Sequence, residues 1–209
     1  MRPRNQVVRS VRSVLLLISA APVFLAACAS VHEVRVDYRL PDPSRALEGK
    51  SLSIRFQDGR GDSGILGPGA REAYTYYSGN VSLFVARGEE PPSLAGMKDV
   101  PSLFRDVFGR RVLALGGKVV MESTLADAEL IIHLKAFSLN LEDRIWIARM
   151  AYDLELIKGD RARIRQEVEG EAERRRIIGL KQADQVMGEL FTDIVNRPDL
   201  PALFKRAGL

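Results

Sequence analysis

The feature that most restricts the fold is a pair of alternating stretches in the C-terminal third, joined by Lys158-Gly159-Asp160. Trp146, Ala148, Met150, Tyr152, Leu154 and Leu156 share one face of the first, and Ala162, Ile164, Gln166, Val168, Gly170 and Ala172 share one face of the second. Side chains alternate across a strand, so this period of two predicts two long strands, each with one core-facing side. Setting Leu156 opposite Ala162 makes those sides coincide and brings Glu155 to Arg163, Asp153 to Arg165 and Arg149 to Glu169. A one-residue slip would turn the charges of one strand onto the apolar side of the other. An antiparallel hairpin with a solvated, charge-paired outer face is therefore expected.

The other elements are shorter. Leu52, Ile54 and Phe56 alternate with polar residues over 50–57, and Val81, Leu83 and Val85 repeat the pattern. Val119 to Met121 and Leu130 to Leu141 are two further strands, the second with Ile132, Leu134 and Ala136 toward the core. Leu103, Phe104, Val107, Phe108, Val112 and Leu115 form a helical stripe from Pro101 to Leu115, with Asp99 as cap and Gly116-Gly117 as stop. Ala183, Val186, Met187, Leu190, Ile194 and Val195 form a second stripe over 180–195, ended by Pro198, and a short turn of helix is expected over 201–206. This order predicts an α+β two-layer sandwich: an antiparallel or mixed β-sheet with two main helices packed on one face.

The N-terminus differs in kind. Arg2, Arg4, Arg9 and Arg12 precede a charge-free run from Val14 to Ala27, interrupted by Pro22. The run is about 14 residues, short of the roughly 20 that an α-helix needs to cross a bilayer, so it reads as a signal segment. It ends in Leu25-Ala26-Ala27-Cys28, which resembles the lipobox of bacterial lipoprotein precursors. The resemblance implies cleavage before Cys28, lipidation (diacylglyceryl and palmitate) of its thiol, and, with Ala29 rather than Asp next, an address on the periplasmic face of the outer membrane. The expected organisation is a lipoprotein signal peptide over 1–27, a lipidated tether over 28–49 and a single periplasmic domain over 50–209. Within the tether, Val34, Val36 and Tyr38 suggest an extended, partly docked piece.

Removing the four signal arginines from 31 basic residues leaves 27, against 27 acidic ones. This balance takes away the electrostatic case for nucleic acid. Cys28 is the only cysteine, so no disulfide within the chain supports the fold.

Catalytic and metal-binding patterns are sparse. His32 lies in the tether and His133 in a strand, neither with a second ligand at metal spacing. Asp58, Arg60 and Asp62 stand among Gly59, Gly61, Gly64, Gly67 and Gly69, where turn chemistry accounts for both Asp and Gly. No helix pattern opens after these glycines, so a phosphate cradle lacks its helix end. Glu171, Glu173, Arg174, Arg175 and Arg176 form a charged cluster, read as a solvated strand end rather than a docking patch.

The lipobox, Leu40-Pro41, Leu52-x-Ile54 leading to Asp58-Gly59-Arg60-x-Asp62, the helix ending in Gly116-Gly117, Leu130-Ile131-Ile132, the charged hairpin and the last amphipathic helix together resemble YajG-type lipoproteins. The same order is more distantly similar to peptidoglycan-synthase activators and transport-auxiliary lipoproteins. The resemblance implies a non-catalytic accessory or binding module of the cell envelope. It would be held to the membrane by its lipid, without cofactor or metal, and would dock a periplasmic or envelope protein. Alternatives are a lipid or lipopolysaccharide transport auxiliary, which needs an apolar cavity, and an envelope hydrolase built on Asp58, Asp62 and the tyrosines near the loop over 58–69.

Overall fold

The computed structural model describes residues 32–159 and 162–209. Cys28 and Asp160 lie outside them. The chain forms β1 (Val34–Leu40), β2 (Ser51–Asp58), α1 (Pro68–Ala73), β3 (Val81–Arg87), β4 (Ser93–Lys98), α2 (Val100–Ala114), β5 (Lys118–Val119), β6 (Ala128–Glu142), β7 (Ile145–Lys158), β8 (Ala162–Arg175), α3 (Lys181–Asn196) and α4 (Leu200–Arg206). A five-stranded sheet has the order β5-β2-β6-β7-β8, and a three-stranded sheet has the order β1-β3-β4. The first is mixed: β2 runs parallel to β5 and β6, and β6, β7 and β8 are antiparallel. The fold is α+β as expected, but its strands divide between two sheets where the sequence suggested one.

Asp99 caps α2 by accepting the Ser102 N–H at 2.8 Å, and Gly116, at φ +81°, lets the chain leave the helix. Asp199 caps α4 in the same manner, at 3.0 Å from the Ala202 nitrogen. The broad apolar face of α2 covers β2, while α3 covers β7 and β8. Phe104 lies at the centre, its ring 5.5 Å from Phe56, 5.6 Å from Phe137, 5.7 Å from Phe191 and 6.3 Å from Tyr152. Most of these pairs are edge-on, the arrangement that aromatic quadrupoles favour.

The hairpin keeps its predicted faces but not its register. Leu156 stands opposite Ile164 and Lys158 opposite Ala162, two residues along from the expected pairing. A shift of two leaves every side chain on its face, so face matching could not exclude it. Gly159, at φ +53°, begins the turn one position later than expected. A second correction concerns β6. Lys135 has no partner on β7, since Leu134 pairs with Tyr152 and Ala136 with Ala151. This β-bulge reverses the alternation, so Phe137 and Leu139 face the core and Ala136 does not.

Strand β1, in the stretch assigned to the tether, is built into the core, with Val34, Val36, Tyr38 and Leu40 all buried. One side pairs in parallel with β3. The other meets α3, whose Asp184, Gly188, Thr192 and Asn196 recur every four residues along it. The Arg35 N–H donates to Asp184 Oδ1 at 3.1 Å and the Arg39 N–H to the Thr192 hydroxyl at 3.1 Å. That hydroxyl donates to the Asp37 carbonyl at 3.2 Å, and Asn196 Nδ2 donates to the Arg39 carbonyl at 2.9 Å. Four helical residues rise about 6 Å and two strand residues about 6.6 Å, so the two repeats stay in step for the length of β1. The helix thus serves as a surrogate neighbour for an edge strand. Gly188 allows this approach, since a Cβ there would lie 3.0 Å from the Asp37 nitrogen and carbonyl oxygen.

Candidate functional site

Asp58 and Asp62, the sequence's candidates for carboxylate chemistry, both hold the glycine-rich segment in shape. Arg60 donates to both oxygens of Asp58, at 2.9 and 2.7 Å, and its own N–H donates to Asp58 Oδ1 at 3.2 Å. These bonds hold the Asp58 carboxyl below the usual carboxylate range. Asp62 accepts the Gly64 N–H at 2.9 Å and an Arg71 guanidinium N–H at 3.1 Å, and is likewise lowered, first by the Gly64 bond. Two carboxylates fixed in their ionised form are turn and ion-pair partners by geometry, and neither has the raised pKa of a general acid.

A helix does open at these glycines, contrary to the expectation from sequence. It is the six-residue α1, too short for its periodicity to be visible. Asn140 Oδ1 accepts the Gly69 N–H at 3.1 Å and the Ala70 N–H at 3.4 Å, so a neighbouring strand caps its N-terminus. At Gly69 a Cβ would collide with the Leu141 carbonyl oxygen, which is why the position is glycine.

The outer face of the five-stranded sheet carries a dense set of charged side chains. Glu155 lies 3.0 Å from His133 Nε2 and 2.8 Å from Arg163 Nε. Asp153, its side chain 1% exposed, meets Lys135 Nζ at 2.6 Å and the Arg165 guanidinium. Burial pushes the Asp153 carboxyl up, but hydrogen bonds from Lys135 and Arg165, with their charges, more than offset this and hold it low. Arg149 pairs with Glu171, and Arg55 with Glu129. Most charges of the face are paired within it, and His133 touches this set through its contact with Glu155. His32 lies elsewhere, its Nδ1 3.3 Å from the Thr75 carbonyl oxygen. Among the described residues no group of three or more His, Asp or Glu side chains is placed to hold a metal ion.

Other surface features were not legible beforehand. Strand β4 is a sheet edge that exposes Leu94 and Met97. A surface cleft of about 450 Å³ lies between the Leu40–Arg45 segment and the end of α2, reaching Arg87 and Gly116. Between β8 and α3, Ile177 and Ile178 stand 68% and 84% exposed beside the arginines of the charged cluster. Among the described residues no helix is long and apolar enough to cross a membrane.

No family model matches the sequence, and no curated protein does. Solved structures to which the chain is similar include protein XCC0632 of Xanthomonas campestris, described under the family model DUF330. It has 12% identity and a TM-score of 0.44, over 78% of this chain and 91% of that one. The PelC dodecamer of Paraburkholderia phytofirmans has 11% identity and a TM-score of 0.36, over 74% and 92%. The lipoprotein GNA1162 of Neisseria meningitidis has 13% identity and a TM-score of 0.27, over 71% of this chain and 96% of that one.

Proposed function

We propose that the chain is a lipid-anchored lipoprotein of the bacterial envelope, held at the periplasmic face of the outer membrane through Cys28, where it acts as a non-catalytic accessory module that docks an envelope protein. The observation that carries this reading is the position of the lipobox. Cys28 precedes by six residues Val34, the first buried residue of the domain, so an acylated cysteine would join the fold almost directly. Two or three acyl chains at one cysteine give durable binding where a single chain is marginal.

The binding role is supported by the commitments of the polar groups. Asp58 and Asp62 of the glycine-rich segment and Asp153, Glu155 and Glu171 of the sheet face are each paired with arginine or lysine, and the exposed edge of β4 is a surface to which an extended segment of a partner adds hydrogen bonds. The test is fractionation of cells making the wild type or Cys28→Ser, with intact-mass measurement of the product. The wild type should sediment with membranes and carry acyl mass on a chain beginning at Cys28, and the variant should be released. A Cys28→Ser chain that still sediments, or an unmodified amino terminus, refutes the anchor. Crosslinking in intact cells tests the accessory role, which predicts a specific envelope protein recovered with the wild type.

A further inference from the structure

The end of the domain nearest Cys28 can be traced contact by contact from the start of β1. His32 meets the Thr75 carbonyl, and the Arg35 N–H reaches Asp184 in the first turn of α3. The Tyr74 hydroxyl donates to the same Asp184 oxygen at 3.2 Å, and the Tyr74 ring packs 6.0 Å from that of Trp146. The Arg176 guanidinium lies 5.9 Å from the Trp146 ring centre, and the Arg176 backbone N–H donates to the Arg144 carbonyl at 2.7 Å. The β8–α3 connection, Arg176 to Leu180, therefore stands on the same end as the anchor-proximal residues. So does Tyr76, 74% exposed and held at φ +62°.

That connection presents an uncommon combination. Ile177 and Ile178 point into solvent with Gly179 behind them at φ +70°. The stretch Arg174-Arg175-Arg176-Ile177-Ile178-Gly179-Leu180-Lys181 has no acid in it. Arg174 is engaged by Glu189, but among the described residues Arg144, Arg175, Arg176 and Lys181 take part in no ion pair, unlike the cations of the sheet face. Asp143 and Glu173 flank the group without bonding to it. An exposed apolar tip between unpaired cations has the composition of a surface that enters the headgroup boundary of an anionic bilayer.

We propose that this end of the domain lies on the membrane, with Ile177 and Ile178 inserted at the acyl boundary and Arg144, Arg175, Arg176 and Lys181 against lipid phosphates. The proposal rests on the anchor at Cys28 and fixes the orientation that the anchor alone leaves free. Six residues of fully extended chain span at most about 20 Å, so an acylated Cys28 holds this end within that distance of the bilayer. Met121, fully exposed, lies beside Leu52 at the opposite end of β6, a strand whose 15 residues extend for roughly 50 Å.

The experiment uses the full-length acylated protein reconstituted into vesicles of phosphatidylethanolamine and phosphatidylglycerol with brominated acyl chains. Ile178→Trp and Met121→Trp are compared, and the emission of the wild type, whose one tryptophan is the buried Trp146, is subtracted. The tryptophan at 178 should lose about two-fold in intensity against unbrominated vesicles, as insertion at the acyl boundary requires, and that at 121 should not change. Adding Arg175→Gln and Lys181→Gln, both on the surface, should reduce the quenching at 178 in anionic vesicles and leave it unaltered in phosphatidylcholine. Protein that floats with the vesicles but shows no more quenching at 178 than at 121 overturns the orientation and leaves the isoleucine pair to a protein partner. Protein that does not float at all refutes the anchor itself, and the orientation falls with it.

Discussion

Gly188→Ala tests whether β1 is held by the polar stripe of α3. In an exposed helix this change stabilises, because alanine exceeds glycine in helix propensity by about 1 kcal/mol. Here the added Cβ would sit 3.0 Å from both the nitrogen and the carbonyl oxygen of Asp37, and 3.3 Å from its Cβ. Strand and helix must separate by several tenths of an ångström, and β3 on the far side of β1 resists the movement. Three of the four bonds from α3 to the backbone of β1 are already long, at 3.1, 3.1 and 3.2 Å, so half an ångström more takes them out of hydrogen-bonding range. At about 1 kcal/mol net for each, the loss is roughly 3 kcal/mol. Subtracting the propensity gain leaves a destabilisation of about 2 kcal/mol, or a fall in Tm of roughly 4–8 °C for a domain of this size. Urea unfolding measures the first quantity, and amide exchange at Arg35 and Arg39 should accelerate relative to the even-numbered residues of β1. A variant as stable as the wild type, with those two amides still protected, would refute the surrogate-strand account.

Further outcomes follow from the same contacts. Phe104→Ala removes the ring at the centre of the aromatic cluster and should cost about 3–5 kcal/mol by denaturant titration. Burial raises the Asp184 carboxyl above the usual carboxylate range despite bonds from the Arg35 N–H and the Tyr74 hydroxyl, so ionising it costs stability as pH rises through that raised value. Asp184→Asn keeps both acceptor contacts. It should therefore match or exceed the wild type at pH 7, an advantage that disappears below the ordinary Asp range; a clearly less stable variant at pH 7 would contradict this. Asp153 has the opposite sign: its lowered carboxyl contributes stability at neutral pH that is lost as pH falls through the lowered value. Thermal melts of Asp153→Asn should accordingly converge with those of the wild type in acid.

The hairpin shows both what the sequence encodes and where that encoding stops. Burial selects faces, and the faces repeat every two residues, so a two-residue shift leaves the apolar argument intact. Charge does not resolve the register either, because arginine reaches a diagonal neighbour across the strands. Arg163–Glu155 and Arg165–Asp153 form in the observed register as diagonals, although they were expected as direct pairs, and only Arg149 changes partner, from Glu169 to Glu171. Helices α2 and α3 were legible because apolar stripe, cap and stop agree locally. Strand β4 was not, since Ser93 to Lys98 has no alternation, and the bulge at Lys135 has no sequence mark.

The stretch read as a tether shows how a partner decides what a pattern means. Its alternation of Val34, Val36 and Tyr38 was visible, but a strand of seven residues with no neighbour in sequence gives no indication of what it pairs with. The missing information was in α3. Asp184, Gly188, Thr192 and Asn196 recur at four-residue spacing beside the apolar stripe, a pattern that resembles an ordinary solvated flank. Glycine in the middle of a helix is unfavourable, and that was the available signal that something approaches closely there. The same physics divides the charged cluster after β8. Composition alone made it a solvated strand end, while the fold turns Arg174 back onto Glu189 and leaves Arg175, Arg176 and Lys181 around two exposed isoleucines. Whether such a cluster is inert depends on what lies within reach, and six residues of chain to an acylated cysteine would put a bilayer there.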